Sequence, residues 1–210
     1  IRMRAPLKRY DATYQVTSCA LSNNAAKLYT GGLDNEIKVW DGRKFNKPIF
    51  NLKFHSDTIT SLNLSNDQQY LLSNGMDKNI VIWDIQTFIN KQQLKQLQDL
   101  KQNEKFKLMN DDEKQQEINK VNSENRLIRV IKGISHNQER LLIKSNWAKN
   151  DTKIVSGSSD KMAYLFDVET GKMEYKLPGH KGSVNEVDYH PKEPIIVSCS
   201  SDKTLFLGEL

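Results

Sequence analysis

Short runs in which apolar side chains alternate with polar ones, or crowd them out, fill most of this chain. Turns rich in Gly, Asn, Asp and Ser separate them. Such runs predict β-strands rather than helices, because the period is two and the runs are too short for an amphipathic helix. The first cycle reads as strands at Tyr14–Leu21, Lys27–Thr30, Ile37–Trp40 and Pro48–Lys53. A second follows at Thr58–Leu64, Gln69–Ser73 and Asn79–Trp83, and its fourth strand is delayed to Arg126–Ile131. A third is expected at Leu141–Trp147, Lys153–Ser156 and Ala163–Phe166, and a last at Met173–Leu177, Ser183–Tyr189, Ile195–Cys199 and Thr204–Leu207. Pro48 opens its strand where an edge tolerates it, and the charges and Pro of Ile1–Tyr10 read as an outer edge strand.

The cycles repeat a pattern. Gly31-Gly32-Leu33-Asp34-Asn35-Glu36-Ile37-Lys38-Val39-Trp40-Asp41 is a tight turn, then a strand closed by a Trp-Asp pair. It returns at Ser73–Asp84 and Ser156–Asp167, and in altered form at Ser198–Leu207, with a period of about 42 residues. A fixed period of roughly 20–50 residues marks a repeat architecture in which each unit buries its face on the next. The longer gap between Asp77 and Asp160 is filled by residues 92–125, which are crowded with Lys, Gln, Asn, Glu and Asp and hold neither Gly nor Pro. No apolar stripe is sustained there, so the segment reads as a disordered or loosely helical insertion within a blade. The chain thus divides into repeats one and two (1–91), the insertion (92–125) and repeats three and four (126–210).

Composition changes this picture little. A hydrophobic fraction of 37% is low, in keeping with a segment that buries nothing, and the net charge of +5 permits an acidic partner without demanding one. Cys19 and Cys199 lack CxxC spacing and fall inside predicted strands, where they read as small core residues of a reducing compartment. No apolar run approaches the roughly 20 residues of a membrane span. The chain opens at Ile1 rather than Met and so reads as a piece of a longer protein.

The polar constellation that recurs with the repeat is His55, Ser73, Asp77 and Trp83 in the second unit and His136, Ser156 and Asp160, with Phe166, in the third. The fourth has His180, Ser198 and Asp202, and the first has Thr30, Asp34 and Trp40 without a His. Ser, His and Asp suggest a hydrolase triad, but a triad occurs once and needs an oxyanion site. Recurrence on inner strands points to a structural relay, with Asp accepting from the imidazole, Ser or Thr bridging, and Trp donating its indole N–H. The histidines lack metal-site spacing, and no Walker loop, GxSxG or dinucleotide fingerprint is present, so neither metal, cofactor nor enzymatic activity is expected.

The Gly179-His180 pair, the turn residues Asp34, Asp77, Asp160 and Asp202, and the closing Trp40-Asp41 resemble the WD-repeat family, whose repeats run to roughly 40–45 residues. That resemblance implies an all-β, WD-repeat β-propeller, here partial, with about four blades of an expected seven. Gly32–Asp41, Tyr70–Asp77, Leu177–Val187, His190–Ile196 and Asp202–Leu210 are further similar to the WD-repeat subunits of the U5 small nuclear ribonucleoprotein. This likeness implies a non-catalytic nuclear scaffold in pre-mRNA splicing. Its partners would be proteins of that particle, chiefly the large central splicing protein, with indirect RNA association, no membrane and no small-molecule substrate. A substrate receptor of a ubiquitin ligase or a chromatin assembly is the alternative, since fold does not give function. Lys78, Lys161 and Lys203 each follow a turn Asp, and with Lys181 they are candidates for a basic, partner-facing rim.

Overall fold

The computed structural model describes Arg9 and residues 11–43, 47–86, 109–136 and 141–210. The expected edge strand at Ile1–Tyr10 lies almost wholly outside these residues, as does the 92–108 part of the insertion. The rest forms four antiparallel sheets in chain order, the blades of a partial propeller. The first comprises β1 (Val16–Leu21), β2 (Lys27–Gly32), β3 (Glu36–Asp41) and β4 (Phe50–Lys53). The second has β5 (Ile59–Leu64), β6 (Tyr70–Gly75), β7 (Asn79–Asp84) and β8 (Leu127–Lys132). The third has β9 (Ser145–Ala148), β10 (Lys153–Ser156), β11 (Ala163–Asp167) and β12 (Met173–Leu177). The fourth has β13 (Val184–Tyr189), β14 (Ile195–Ser200) and β15 (Leu205–Glu209).

The cores lie between successive sheets. In β7 the run Ile80–Trp83 is buried throughout because the sheet is covered on both faces. Val81 and Trp83 pack with Tyr29, Leu52 and Ile59 toward the first sheet, while Ile80 and Ile82 pack with Ile154 and Phe166 toward the third. The period of two splits β11 in the same way. Tyr164 and Phe166 face the second sheet, and Leu165 joins Val184 and Ile196 of the fourth. Toward the two ends of the arc the described residues supply no such cover. Val16 and Leu21 of β1, and Leu205 and Leu207 of β15, are exposed, and among the described residues no strand pairs with the outer edge of β15. Cys19 is therefore exposed and Cys199 half-buried, a correction to their expected place in the core.

The seams are stitched by polar side chains on the inner strands. Thr17 Oγ1 donates to the Ile59 carbonyl, and Ser18 Oγ accepts from the Leu62 amide at 2.9 Å. One repeat on, Thr60 Oγ1 donates to the Ile143 carbonyl at 2.6 Å, and Ser61 Oγ accepts from the Ser145 amide at 3.2 Å. The Ile143 carbonyl also takes Asn74 Nδ2 at 3.3 Å, and the inner strand of the third sheet begins at Ser145 rather than at Leu141.

The described part of the insertion is a helix, α1 (Asp111–Arg126), entered through a Glu113 carboxylate that accepts the Asn110 amide at 3.0 Å. Its inward stripe is polar: Asn119, Ser123 and Arg126 are all buried, at helical spacing of four and three. Asn119 Oδ1 accepts the Asn51 amide at 3.0 Å, and Ser123 Oγ accepts the Lys53 amide at 2.7 Å. The helix thus covers the outer edge of the first sheet and satisfies edge amides that strand pairing would otherwise use. A search for apolar periodicity is blind to such a helix. Replacing Asn119 and Ser123 together by Ala should speed hydrogen exchange at the Asn51 and Lys53 amides by about fivefold, because each loses its acceptor at a cost of about 1 kcal/mol. Exchange at the Ile80–Trp83 amides should stay unchanged.

Candidate functional site

The recurring polar residues gather at one end of the arc, where the β2–β3, β6–β7, β10–β11 and β14–β15 turns meet the loops entering each sheet. In the second blade they form one chain. Trp83 Nε1 donates to Ser73 Oγ at 2.9 Å, Ser73 Oγ lies 2.8 Å from His55 Nε2, and His55 Nδ1 lies 3.1 Å from both Asp77 oxygens. An indole can only donate and a carboxylate only accept, so Trp83 donates to Ser73 and His55 donates from Nδ1 to Asp77. Gly75 makes room, since a Cβ there would fall 2.5 Å from His55 Nδ1 and 2.7 Å from Asp77 Oδ1. Burial pushes the Asp77 carboxyl up, but hydrogen bonds from His55, Asn79 and the Ser56 amide outweigh it and hold the group at about 2.

The other blades depart from this chain one by one. In the fourth, His180 Nε2 meets Ser198 Oγ at 2.9 Å and Nδ1 meets Asp202 Oδ2 at 3.2 Å, with Thr204 Oγ1 at 3.1 Å as an added partner. Gly208 stands where the Trp would be, and the ring of Phe206 packs edge-on to His180 at 4.5 Å. Hydrogen bonds from Thr204 and the Lys181 amide hold the Asp202 carboxyl well below its usual range. In the first, Trp40 Nε1 donates to Thr30 Oγ1 at 2.8 Å, while Asp34 pairs with Lys38 at 2.5 Å.

The third blade does not form the relay. His136 has neither ring nitrogen hydrogen-bonded, although both are buried. Ser156 Oγ is 2.8 Å from Ser145 Oγ and donates to the Gly157 carbonyl, and Asp160 accepts the Tyr164 hydroxyl. The physical reason is spacing. His55 and His180 each precede their Ser by 18 residues and their Asp by 22, whereas His136 stands two residues too early. Burial pushes the His136 imidazole down; Asp77 and Asp57 across the seam oppose that shift, and Lys78 adds to it.

Three of the four turn Asp residues also build their own turns. Asp77, Asp160 and Asp202 Oδ1 accept the amide two residues on, at 3.1, 3.3 and 2.9 Å. The residue between is left-handed in all four blades, at Asn35 (φ 61°), Lys78 (66°), Lys161 (71°) and Lys203 (68°). That conformation costs a Lys about 1–2 kcal/mol and turns its side chain out of the sheet. Lys78, Lys161, Lys181 and Lys203 are all exposed. The seam residues Thr17, Ser18, Thr60 and Ser61 escaped the sequence reading, although they recur as a Thr-Ser pair one repeat apart.

The model of the WD domain, G-beta repeat, matches residues 4–41, 46–84 and 171–207, and leaves β9 to β11 of the divergent third blade and the helix unmatched. The chain is 43% identical over its whole length to the U5 small nuclear ribonucleoprotein 40 kDa protein of Dictyostelium discoideum, covering 50% of that protein. It is 41% identical to pre-mRNA-splicing factor cwf17 of Schizosaccharomyces pombe, covering 51% of it. It is 36% identical to the U5 small nuclear ribonucleoprotein 40 kDa protein of Homo sapiens, covering 49%. The chain thus spans about half the length of these relatives.

Ser73→Ala strands the Trp83 indole and His55 Nε2, so it should lower stability in urea unfolding by roughly 1–3 kcal/mol for each group left unpaired. Asp77 is held below its ordinary value of 3.8 at about 2, so the stability it contributes is present above pH 4 and lost as pH falls through that window. Asp77→Asn should remove that part of the acid transition. His136, depressed below 6.5, makes the fold less stable as pH falls below that value. His136→Leu should therefore raise the melting temperature more at pH 5.5 than at pH 8.

Proposed function

Since the chain belongs to the WD domain, G-beta repeat family, we propose that it is a non-catalytic scaffold subunit of the U5 small nuclear ribonucleoprotein, acting in the nucleus in pre-mRNA splicing. The observation that carries this reading is likeness along the whole chain to proteins named for that particle and for splicing. Its principal partner is the large central splicing protein of the particle, and its association with RNA runs through proteins.

The geometry suits such a task. The relays of the second and fourth blades tie entry loops to inner strands, so the turn end of the arc is a fixed surface rather than a set of free loops. From it project Lys78, Lys161, Lys181 and Lys203, which would meet an acidic partner surface and speed encounter with it. In the second and fourth blades the recurring Ser, His and Asp are spent on each other.

Tagged full-length protein recovered from nuclear extract should enrich U5 RNA over the other spliceosomal RNAs by northern blotting. Recovery of a ubiquitin-ligase or chromatin subunit with no spliceosomal RNA would overturn the splicing assignment. Changing the four rim lysines to Glu should reduce recovery of the central protein at least tenfold and weaken its salt dependence, with an unchanged melting temperature.

A further inference from the structure

At the end of the arc away from the lysine turns, the β1–β2 and β5–β6 hairpins of adjacent blades enclose a recess of about 330 Å³. Ser22, Asn24, Lys27, Tyr29, Gln68 and Ile85 line it. Lys27 Nζ has one partner, the Ile85 carbonyl at 3.4 Å. Behind that wall Arg126 is only 6% exposed. Its Nη1 donates to the carbonyls of Asp84 and Gln86, on either side of Ile85, at 3.1 and 3.2 Å, while its Nε is buried without a partner. Among the described residues neither cation forms an ion pair. The nearby carboxylates are turned to backbone, with Asp84 accepting the Gln86 amide at 2.9 Å and Asp41 the Arg43 amide at 2.8 Å.

Two desolvated cations share the field of a single carboxylate, that of Asp84, which pairs with neither, and a bound anion relieves the cost of the charge left unbalanced. Burial lowers the proton affinity of both Lys27 and Arg126, and for Lys27 the charge of Arg126 lowers it further, while the charge of Asp84 opposes the shift at both without cancelling it. We infer that this recess is an anion site that takes one carboxylate or phosphate carried on an extended peptide segment of a protein partner. Lys27 is its contact cation, and Arg126 supplies field from behind. A nucleic-acid backbone would need a row of cations at phosphate spacing, whereas the positions flanking Lys27 at this recess are Asn23, Asn24 and Gln68. Tyr29 and Ile85 cover the aliphatic stem of such a side chain. The site is on the opposite face from the rim and stands whether or not the chain serves the U5 particle.

The test is fluorescence anisotropy with the full-length protein and three labelled peptides that differ only in a central phosphoserine, Glu or Ser. The two acidic peptides should bind at least about tenfold more tightly than the Ser peptide, as a charge-assisted hydrogen bond implies. Lys27→Met should erase that difference, and Lys203→Met on the far face should not. Because Lys27→Met removes an unpaired cation and keeps its stem, its melting temperature should not fall; Lys27→Gln serves as a second variant. Equal binding of all three peptides, or full binding by both Lys27 variants, would overturn the site. Inorganic phosphate binding as tightly as the phosphopeptide would overturn the peptide assignment.

Discussion

A sheet whose two faces are both apolar cannot stand in water alone, and that constraint organises this molecule. Ile80, Val81, Ile82 and Trp83 are consecutive and all buried, so the second sheet needs a neighbour on each side. The first and third sheets supply that cover, and the third is covered in turn by the fourth. Blade order along the chain is thus blade order in space, because each connection leads straight to the face that must be covered.

Apolar contact alone would leave neighbouring sheets free to slide. Directional bonds at the seams prevent this: Thr17 and Ser18 reach the second sheet as Thr60 and Ser61 reach the third, and Asn146 Nδ2 reaches the Val187 carbonyl at 2.8 Å. Within a blade the relay from Trp83 to Asp77 plays the corresponding part, tying the entry loop to the third strand. Both sets satisfy polar groups that burial would otherwise penalise. Together they hold the turn end still enough for four lysines to present a defined charge pattern.

Two regions answer local needs instead of the repeat. The third blade carries Phe166 for Trp and a His136 two residues out of register, and Ser156 and Asp160 have found other partners in Ser145 and Tyr164. The insertion returns through α1, which meets a sheet edge with Asn119 and Ser123 rather than with an apolar stripe. Arg126, at its end, lies 5.0 Å over the Phe50 ring and brings a second positive charge close to Lys27 of the neighbouring recess.

By itself the sequence determined where the strands of the described residues fall, the four-blade order and the residues of the relay in the second and fourth blades, because period-two alternation and a repeat of about 42 residues are local and periodic signals. Even the failure of His136 was legible in its spacing from Ser156. Tertiary structure alone decided what α1 does, since a polar helix stripe has no meaning until strand amides lie opposite it. It alone decided that Cys19 is exposed, since burial depends on which face has a neighbour. It also brought Lys27 and Arg126, 99 positions apart in the chain, around one recess, because unpaired charge is a property of surroundings and not of residues.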